Sequence, residues 1–463
     1  MADYIVAIDL GTSHLTGIVG EKNKNGTFSI IGYATEDTVS FIRKDETEDK
    51  TSCIHRGIIY NLDNTSILID NLLRKLETYL KGEFIEKVYI GAGGQSLHTI
   101  DHLEALDIAD GATVTEEDIA LLKEQCGKFK PNLRDVLDMA TPVYYLDGRK
   151  DNMPVGVSCS RLEAHYKLIV GRSTIRQKIT KSVESTQDKS LAGILISPLA
   201  LADAVLSPND KKLGCAFIDF GAGVTSVSVY EDGDLKHLCV VPFGGKLITR
   251  DIVSSLKLSE EEAEKYKINR GSAIFNQDDE KKQFEVEMGG SKRKIDLCDL
   301  NAIIEGRAKE IVENVYARIY EVIEPRQLGA GIILAGCAAQ LNGLPEMLKD
   351  KFKVSVRYST IRNGLVQGSD EILGNPLYMT AISLMLKGKE TCVSSLNEIV
   401  QDIQEDAPPP PPVTTPGTEK PDPQPPVRKQ PKPPKPPKPV RVKKNRLKDM
   451  IKKIYTTQLF NEE

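Results

Sequence analysis

"YIVAIDLGTSHLTGIVG" (residues 4–20) and "GCAFIDFGAGVTSVSVY" (214–230) are two versions of one pattern. Each opens with an apolar run of strand length and passes through Ile-Asp-x-Gly. Each then turns on small and hydroxylated residues and returns as a second apolar run. The aspartates, Asp9 and Asp219, stand 210 positions apart. Solenoid repeats recur every 20–50 residues, so this separation implies a duplicated α/β core. The turns carry chemistry. Gly11, Gly221 and Gly223 let the backbone turn tightly and present N–H groups, which suits phosphate oxygens. Thr12, Ser13 and Thr225 add hydroxyl donors. A carboxylate at the strand end beside them is placed to hold Mg2+ through its waters. Two such hairpins facing each other would hold a polyphosphate from both sides. Neither copy is the Rossmann or the Walker glycine motif.

The rest of the chain sets bounds. Its 463 residues, 40% of them hydrophobic, allow several sizeable cores. Through about residue 390, strand-length apolar runs alternate with helical patterns, as in an α/β protein. "MADYIVAIDLG" lacks the basic lead-in of a secretory signal. The longest uncharged run, 327–345, carries Gln, Asn and glycines, and is expected as a buried strand and turn rather than a membrane span. Eight cysteines stand singly with no C-x-x-C pair, which points to a reducing cytosol and away from disulfides or zinc. His98 and His102 lie four apart without a helical context for a metal.

The C-terminal part changes character. Sixteen of the 25 prolines fall between 408 and 439, where large apolar residues are almost absent. Such a segment cannot offset its ordering entropy by burial, and is expected to be a disordered, extended spacer. From Arg428 onward there are 12 Lys/Arg against 3 Asp/Glu, in a chain whose net charge is −5. An acidic body with a basic tail implies an anionic partner for the tail. There Leu447, Met450, Ile451, Ile454 and Tyr455 recur at i, i+3, i+4, i+7 and i+8, one apolar stripe. Lys444 and its basic neighbours lie around the flanks and the opposite face. This is the pattern of a helix lying in the surface of an anionic membrane. Nucleic acid is not the expected partner, because aromatic residues for base stacking are not interleaved with the charges.

The duplicated hairpins resemble the phosphate motifs of the actin, sugar-kinase and heat-shock ATPase superfamily. "AGIILAGCAAQLNGLPEM" (330–347) is similar to its adenosine motif, placing Gly336 and Cys337 at the nucleotide. "AEKYKINRGSA" (263–273) is similar to the A-E-x-x-K helix of bacterial actins, placing Glu264 and Lys267 at ribose or base. Within the superfamily the FtsA cell-division family fits over nearly the whole chain. "NMPVGVSCSRLEAHYKLIVG" (152–171), the stretch 212–252 and "PLYMTAISLMLKGKE" (376–390) carry that likeness.

The resemblance implies an actin-like ATPase fold of class α/β, with an interdomain nucleotide cleft, ATP and Mg2+ as ligands, and Asp9 and Asp219 holding the metal through waters. It implies a first subdomain at 1–83 and 165–195, an inserted α+β domain at 84–164, and a second core at 196–243 and 329–390. A small subdomain at 244–328, a proline-rich linker at 391–440 and a membrane-targeting helix at 441–460 complete it. "FIEKVYIGAGGQSL" would be the opening strand and turn of the insert, and "TVTEEDIALLKEQC" its helix, with Thr115 as N-cap and Asp118 as N3. Implied partners are the C-terminal tail of FtsZ, with Arg307 a candidate contact, further copies of the chain in a filament, anionic lipids and other division proteins.

There are departures. His14 stands where some relatives carry a lysine. Ala222, Ser226, Cys337 and Ala338 replace more usual residues. Ser197 stands near the position where related ATPases carry a water-activating glutamate, so weak or absent hydrolysis is expected. A sugar kinase or chaperone-like ATPase is the competing enzyme class, but no substrate domain or catalytic carboxylate supports it. A pilus-assembly relative shares the core, and the tail helix argues against it.

Overall fold

The computed structural model describes residues 3–38, 52–186, 188–275, 282–288 and 291–394. The proline-rich linker beyond Ser394 and the expected amphipathic helix lie outside the described residues. The first sheet has six strands, in the order Ser190–Ile196, Lys87–Ala92, Asp3–Leu10, His14–Lys22, Phe28–Asp37, Val366–Gln367. Ile5, Val6, Ala7 and Ile8 are all buried, as expected of a strand covered on both faces. Helix Leu62–Glu77 packs Leu72 and Leu76 against Gly17, while helix Pro376–Met385 packs Met385 against Gly20 on the other face. Any larger side chain at Gly17 or Gly20 would collide with those helices.

The second half repeats the first. Its strands run Asp234–Val241, Thr225–Glu231, Cys215–Phe220, Ile332–Ala335, Val356–Tyr358. In both halves three antiparallel strands are followed by two parallel ones. The register repeats too: Asp9 lies opposite Thr16, and Asp219 opposite Ser226. The duplication read from two short stretches therefore extends to whole sheets.

Inserted within the first half, between strands Lys87–Ala92 and Ser190–Ile196 in sequence, lies an α+β segment. Strands His98–Asp107 and Arg161–Gly171 pair along ten positions, flanked by Asp135–Met139, Val143–Leu146 and Arg149–Asp151. Leu122 and Cys126 of helix Glu116–Lys128 join Leu162, Tyr166 and Leu168 in a separate core. A pairing of Cys239 with His98 makes these strands continuous with the sheet of the second half. Two expectations differ here. Lys87–Ala92 does not open the inserted segment; it runs parallel to Asp3–Leu10 in the first sheet. An uninterrupted apolar run, "VYIGA", is suited to a central parallel strand buried on both faces, whereas the inserted strands alternate. The expected boundary at 165 also falls inside the continuous strand Arg161–Gly171.

The expected N-cap is present. Thr115 Oγ1 accepts from Asp118 N–H at 3.2 Å, and Asp118 Oδ2 accepts from Thr115 N–H at 2.8 Å, a reciprocal box. Thr115→Ala leaves an end N–H unsatisfied and is expected to cost about 1 kcal/mol in urea unfolding, with no effect at the cleft described next.

Candidate functional site

The two aspartates sit at equivalent strand ends and close to one another. Ser197 Oγ donates to Asp9 Oδ1 at 3.0 Å, and Ser226 Oγ donates to Asp219 Oδ2 at 3.4 Å. Neither carboxylate has a lysine or arginine within ion-pair distance among the described residues. Burial pushes Asp9 up to about 6, against the hydroxyl of Ser197. Burial, then the charge of Asp9, pushes Asp219 up to about 7. Two partly desolvated acids held together without a cation form a donor set for a hard divalent ion bound through waters. The residues present therefore fit Mg2+. Ser197 supplies a hydrogen bond to Asp9 rather than a base.

The turns oppose each other. A Cβ placed on Gly223 would come within 2.4 Å of Thr12 Oγ1, so the second turn is seated on the first. Thr12 Oγ1 accepts from Gly57 N–H at 3.0 Å, which leaves its own proton available. Ser13 Oγ lies 3.1 Å from His14 Nδ1. Thr225 departs from expectation: fully buried, its hydroxyl donates to the Phe243 carbonyl at 2.8 Å. It ties the hairpin to the following loop instead of facing the cleft. The N–H groups of Gly245 and Lys246 donate to the carbonyls of Gly221 and Ala222, fixing helix Gly245–Leu256 against the second turn.

The adenosine-type turn adjoins the same place. Gly336 has φ 86° and ψ 156°, and a Cβ there would meet Phe220 O at 2.3 Å and Asp219 Oδ1 at 2.4 Å. Cys337 is exposed, and the thiol is raised by desolvation and by the charges of Asp219 and Asp9. Lys267 Nζ donates to Thr249 Oγ1 at 3.0 Å and to Gly245 O at 3.3 Å, and pairs with Glu264 at 2.7 Å. Ala338 lies against Gly245. Thus Glu264, Lys267, the Gly336 turn and both hairpins adjoin one another through Gly245 and Asp219.

Lys246 is the residue that sequence reasoning passed over. Its ammonium, partly buried, donates to the Thr12 carbonyl at 3.2 Å, crossing from the second half to the first hairpin. The signal was there in "GGKL": a cation in the first turn of a helix, where the macrodipole disfavours it.

Arg307 is less available than expected. Asp251 and Glu310 hold its guanidinium, while Lys309 pairs with Glu305 at 3.0 Å and Arg318 with Glu321 at 2.9 Å. No helix among the described residues is long and apolar enough to cross a membrane.

A five-strand unit built twice, with an aspartate turn from each half lining a shared cleft, defines the actin-like class of nucleotide-binding proteins. Comparison with known proteins narrows this. The family model "Cell division protein FtsA" matches residues 216–383, and "SHS2 domain inserted in FTSA" matches 94–170. Cell division protein FtsA of Porphyromonas gingivalis is 31% identical over 415 residues, covering 87% of this chain and 83% of the relative. That of Neisseria meningitidis serogroup B is 29% identical, covering 82% and 89%. A solved structure of the PilM–PilN type IV pilus biogenesis complex has a TM-score of 0.55 at 15% identity, covering 83% of this chain and 98% of that one, and shares the fold. The chain belongs to the FtsA family of cell division proteins.

Proposed function

We propose that the chain binds ATP with Mg2+ in this cleft, polymerises on the cytoplasmic face of the cell membrane at the division site, and tethers FtsZ to it. The pair of aspartate turns facing across the cleft is the observation that carries the nucleotide assignment. Gly11, Thr12, Ser13, Gly221, Ala222 and Gly223 would receive the phosphates, with His14 at their edge. Glu264, Lys267, Gly336 and Cys337 would border the nucleoside. Bound Mg2+ would offset phosphate charge, with Asp9 and Asp219 orienting its waters. With Ser197 beside Asp9, near the position where related ATPases carry a water-activating glutamate, turnover should be slow.

The domain assignment follows the family pattern, with the inserted segment beginning near residue 94 rather than 84. The tail of FtsZ would dock on the small subdomain at 244–328. An acidic residue of that tail would reach Arg307 by replacing Glu310, the more exposed of its two carboxylate partners. Filament contacts bring further copies of the chain, and other division proteins join the assembly.

Membrane attachment is assigned to Lys444, Leu447, Met450, Ile451, Ile454 and Tyr455. Half-burial of five apolar side chains supplies several kcal/mol, at about 1.5–3 kcal/mol per fully buried side chain. Basic residues near the surface add up to ~1 kcal/mol each. Ordering the helix costs part of this, so one tail binds reversibly and a filament binds avidly. Pelleting with anionic vesicles and Mg-ATP is the test. The full chain is expected to pellet, increasingly so on assembly and less in high salt, while a chain ending at Lys438 stays in solution. Equal pelleting of the two would remove the membrane role from the tail.

A further inference from the structure

We infer that Lys246 is the phosphate-contacting cation of this cleft, supplied by the helix that follows the second hairpin and reaching across to the first. The inference deepens the nucleotide assignment and rests on it. Three observations carry it. First, the position is locally unfavourable. Lys246 lies in the first turn of helix Gly245–Leu256, at the positive end of its dipole. A lysine placed against local preference, and partly withdrawn from water, is explained by something that such a charge meets.

Second, that something is not a protein carboxylate. Lys246 has no Asp or Glu within 4 Å among the described residues, and its hydrogen-bond acceptor there is the neutral carbonyl of Thr12 at 3.2 Å. Lys267, the other lysine of the cleft, is already committed to Glu264, Thr249 and Gly245. Glu260, Glu264 and Asp37 act on Lys246 only at longer range, and burial lowers its basicity despite them.

Third, the acceptor marks the place. Thr12 belongs to the first phosphate-type turn and is the residue on which Gly223 of the second turn is seated. An ammonium resting on the Thr12 carbonyl is therefore at the junction of the two turns, where a polyphosphate held by both would lie. The first hairpin itself carries no lysine or arginine in its turn, where His14 stands. Lys246 supplies the missing cation from the opposite half. Phosphate binding would then draw the two halves together through this side chain, so nucleotides with more phosphates gain more from it than adenosine does.

The test is calorimetric titration of the full chain and of Lys246→Gln and Lys246→Arg with ATP, ADP and adenosine, in Mg2+. For Lys246→Gln, ATP affinity is expected to fall about tenfold or more, as for loss of one charge-assisted contact, with adenosine within about twofold. Lys246→Arg should keep ATP within about threefold. Retained adenosine binding reports that the variant is folded. A parallel loss for ATP and adenosine, or no loss for either, overturns the assignment and leaves the nucleotide function standing. Failure of the unaltered chain to bind any of the three overturns both.

Discussion

Asp219→Asn is expected to stabilise the nucleotide-free chain at pH 8 and, in the same protein, to lower Mg-ATP affinity more than tenfold. The opposed signs follow from one arrangement. Burial, together with the charge of Asp9, raises Asp219 to about 7, and burial raises Asp9 to about 6. The folded free chain thus holds these protons more tightly than the unfolded chain does. The stability they contribute is complete below pH about 4 and is lost as pH rises through roughly 6–7. A tenfold difference in proton affinity is worth about 1.4 kcal/mol, and solvent in the cleft screens part of it, so relieving the like-charge pair is worth about 1–2 kcal/mol at pH 8. For a chain of this size that is a thermal midpoint raised by about 2–4 °C. The asparagine carbonyl can still accept from Ser226. The gain should shrink as pH falls below 7 and vanish only at about pH 4, in the ordinary carboxylate range, where the unfolded chain is protonated too. Mg-ATP should raise the midpoint of the unaltered chain but hardly move that of the variant. Thermal melts at the two pH values, each with and without Mg-ATP, check all of this. A lower midpoint for the variant at pH 8 would show that repulsion between the two acids does not limit stability. Unchanged Mg-ATP stabilisation would remove Asp219 from the metal side of the site.

The hairpins were legible because their constraint is local. A strand, a carboxylate, a glycine turn and a second strand occupy fewer than twenty consecutive residues, and a second copy at 210 residues removes the ambiguity of one. The equivalence of the two halves, including the Asp9–Thr16 and Asp219–Ser226 registers, follows directly from aligning those stretches. Long-range partners were not legible. Nothing within "FIEKVYIGAGGQSL" says that Lys87–Ala92 lies beside Asp3–Leu10 rather than with His98–Asp107. Only its unbroken apolar run hinted at a central parallel strand. Thr225 looked like a phosphate donor because hydroxyls in a turn usually point outward, and its partner Phe243 lies 18 residues on. Lys246 was hidden for the opposite reason. Its sequence neighbourhood is an ordinary helix start, and its significance lies in a carbonyl 234 residues away. Arg307 appeared free because Asp251, which holds it, is on another helix.

Gly336→Ala is expected to be severely damaging, and the reason is where its Cβ would go. At φ 86° and ψ 156° the backbone occupies a region open essentially to glycine alone, with a strain of about 1–3 kcal/mol for any other residue. The methyl would also lie 2.3 Å from Phe220 O and 2.4 Å from Asp219 Oδ1. Phe220 cannot withdraw freely, because it ends a strand whose Asp219 is paired with Ala335. Relieving that overlap costs about 1–3 kcal/mol more. The sum, about 2–6 kcal/mol, should appear as a lowered urea midpoint. Because the methyl displaces Asp219 itself, Mg-ATP binding should be lost even at temperatures where the variant is folded. Gly343→Ala separates the two causes. Gly343 also has positive φ, 77°, but its Cβ would meet nothing nearer than 3.1 Å. It is expected to cost about 1–2 kcal/mol for the left-handed backbone and to leave nucleotide binding intact. Equal cost for the two variants would mean that backbone strain alone requires glycine at 336. A larger cost at 336, with binding lost only there, would mean that this turn is glycine because Asp219 and the end of its strand occupy the space a side chain would need.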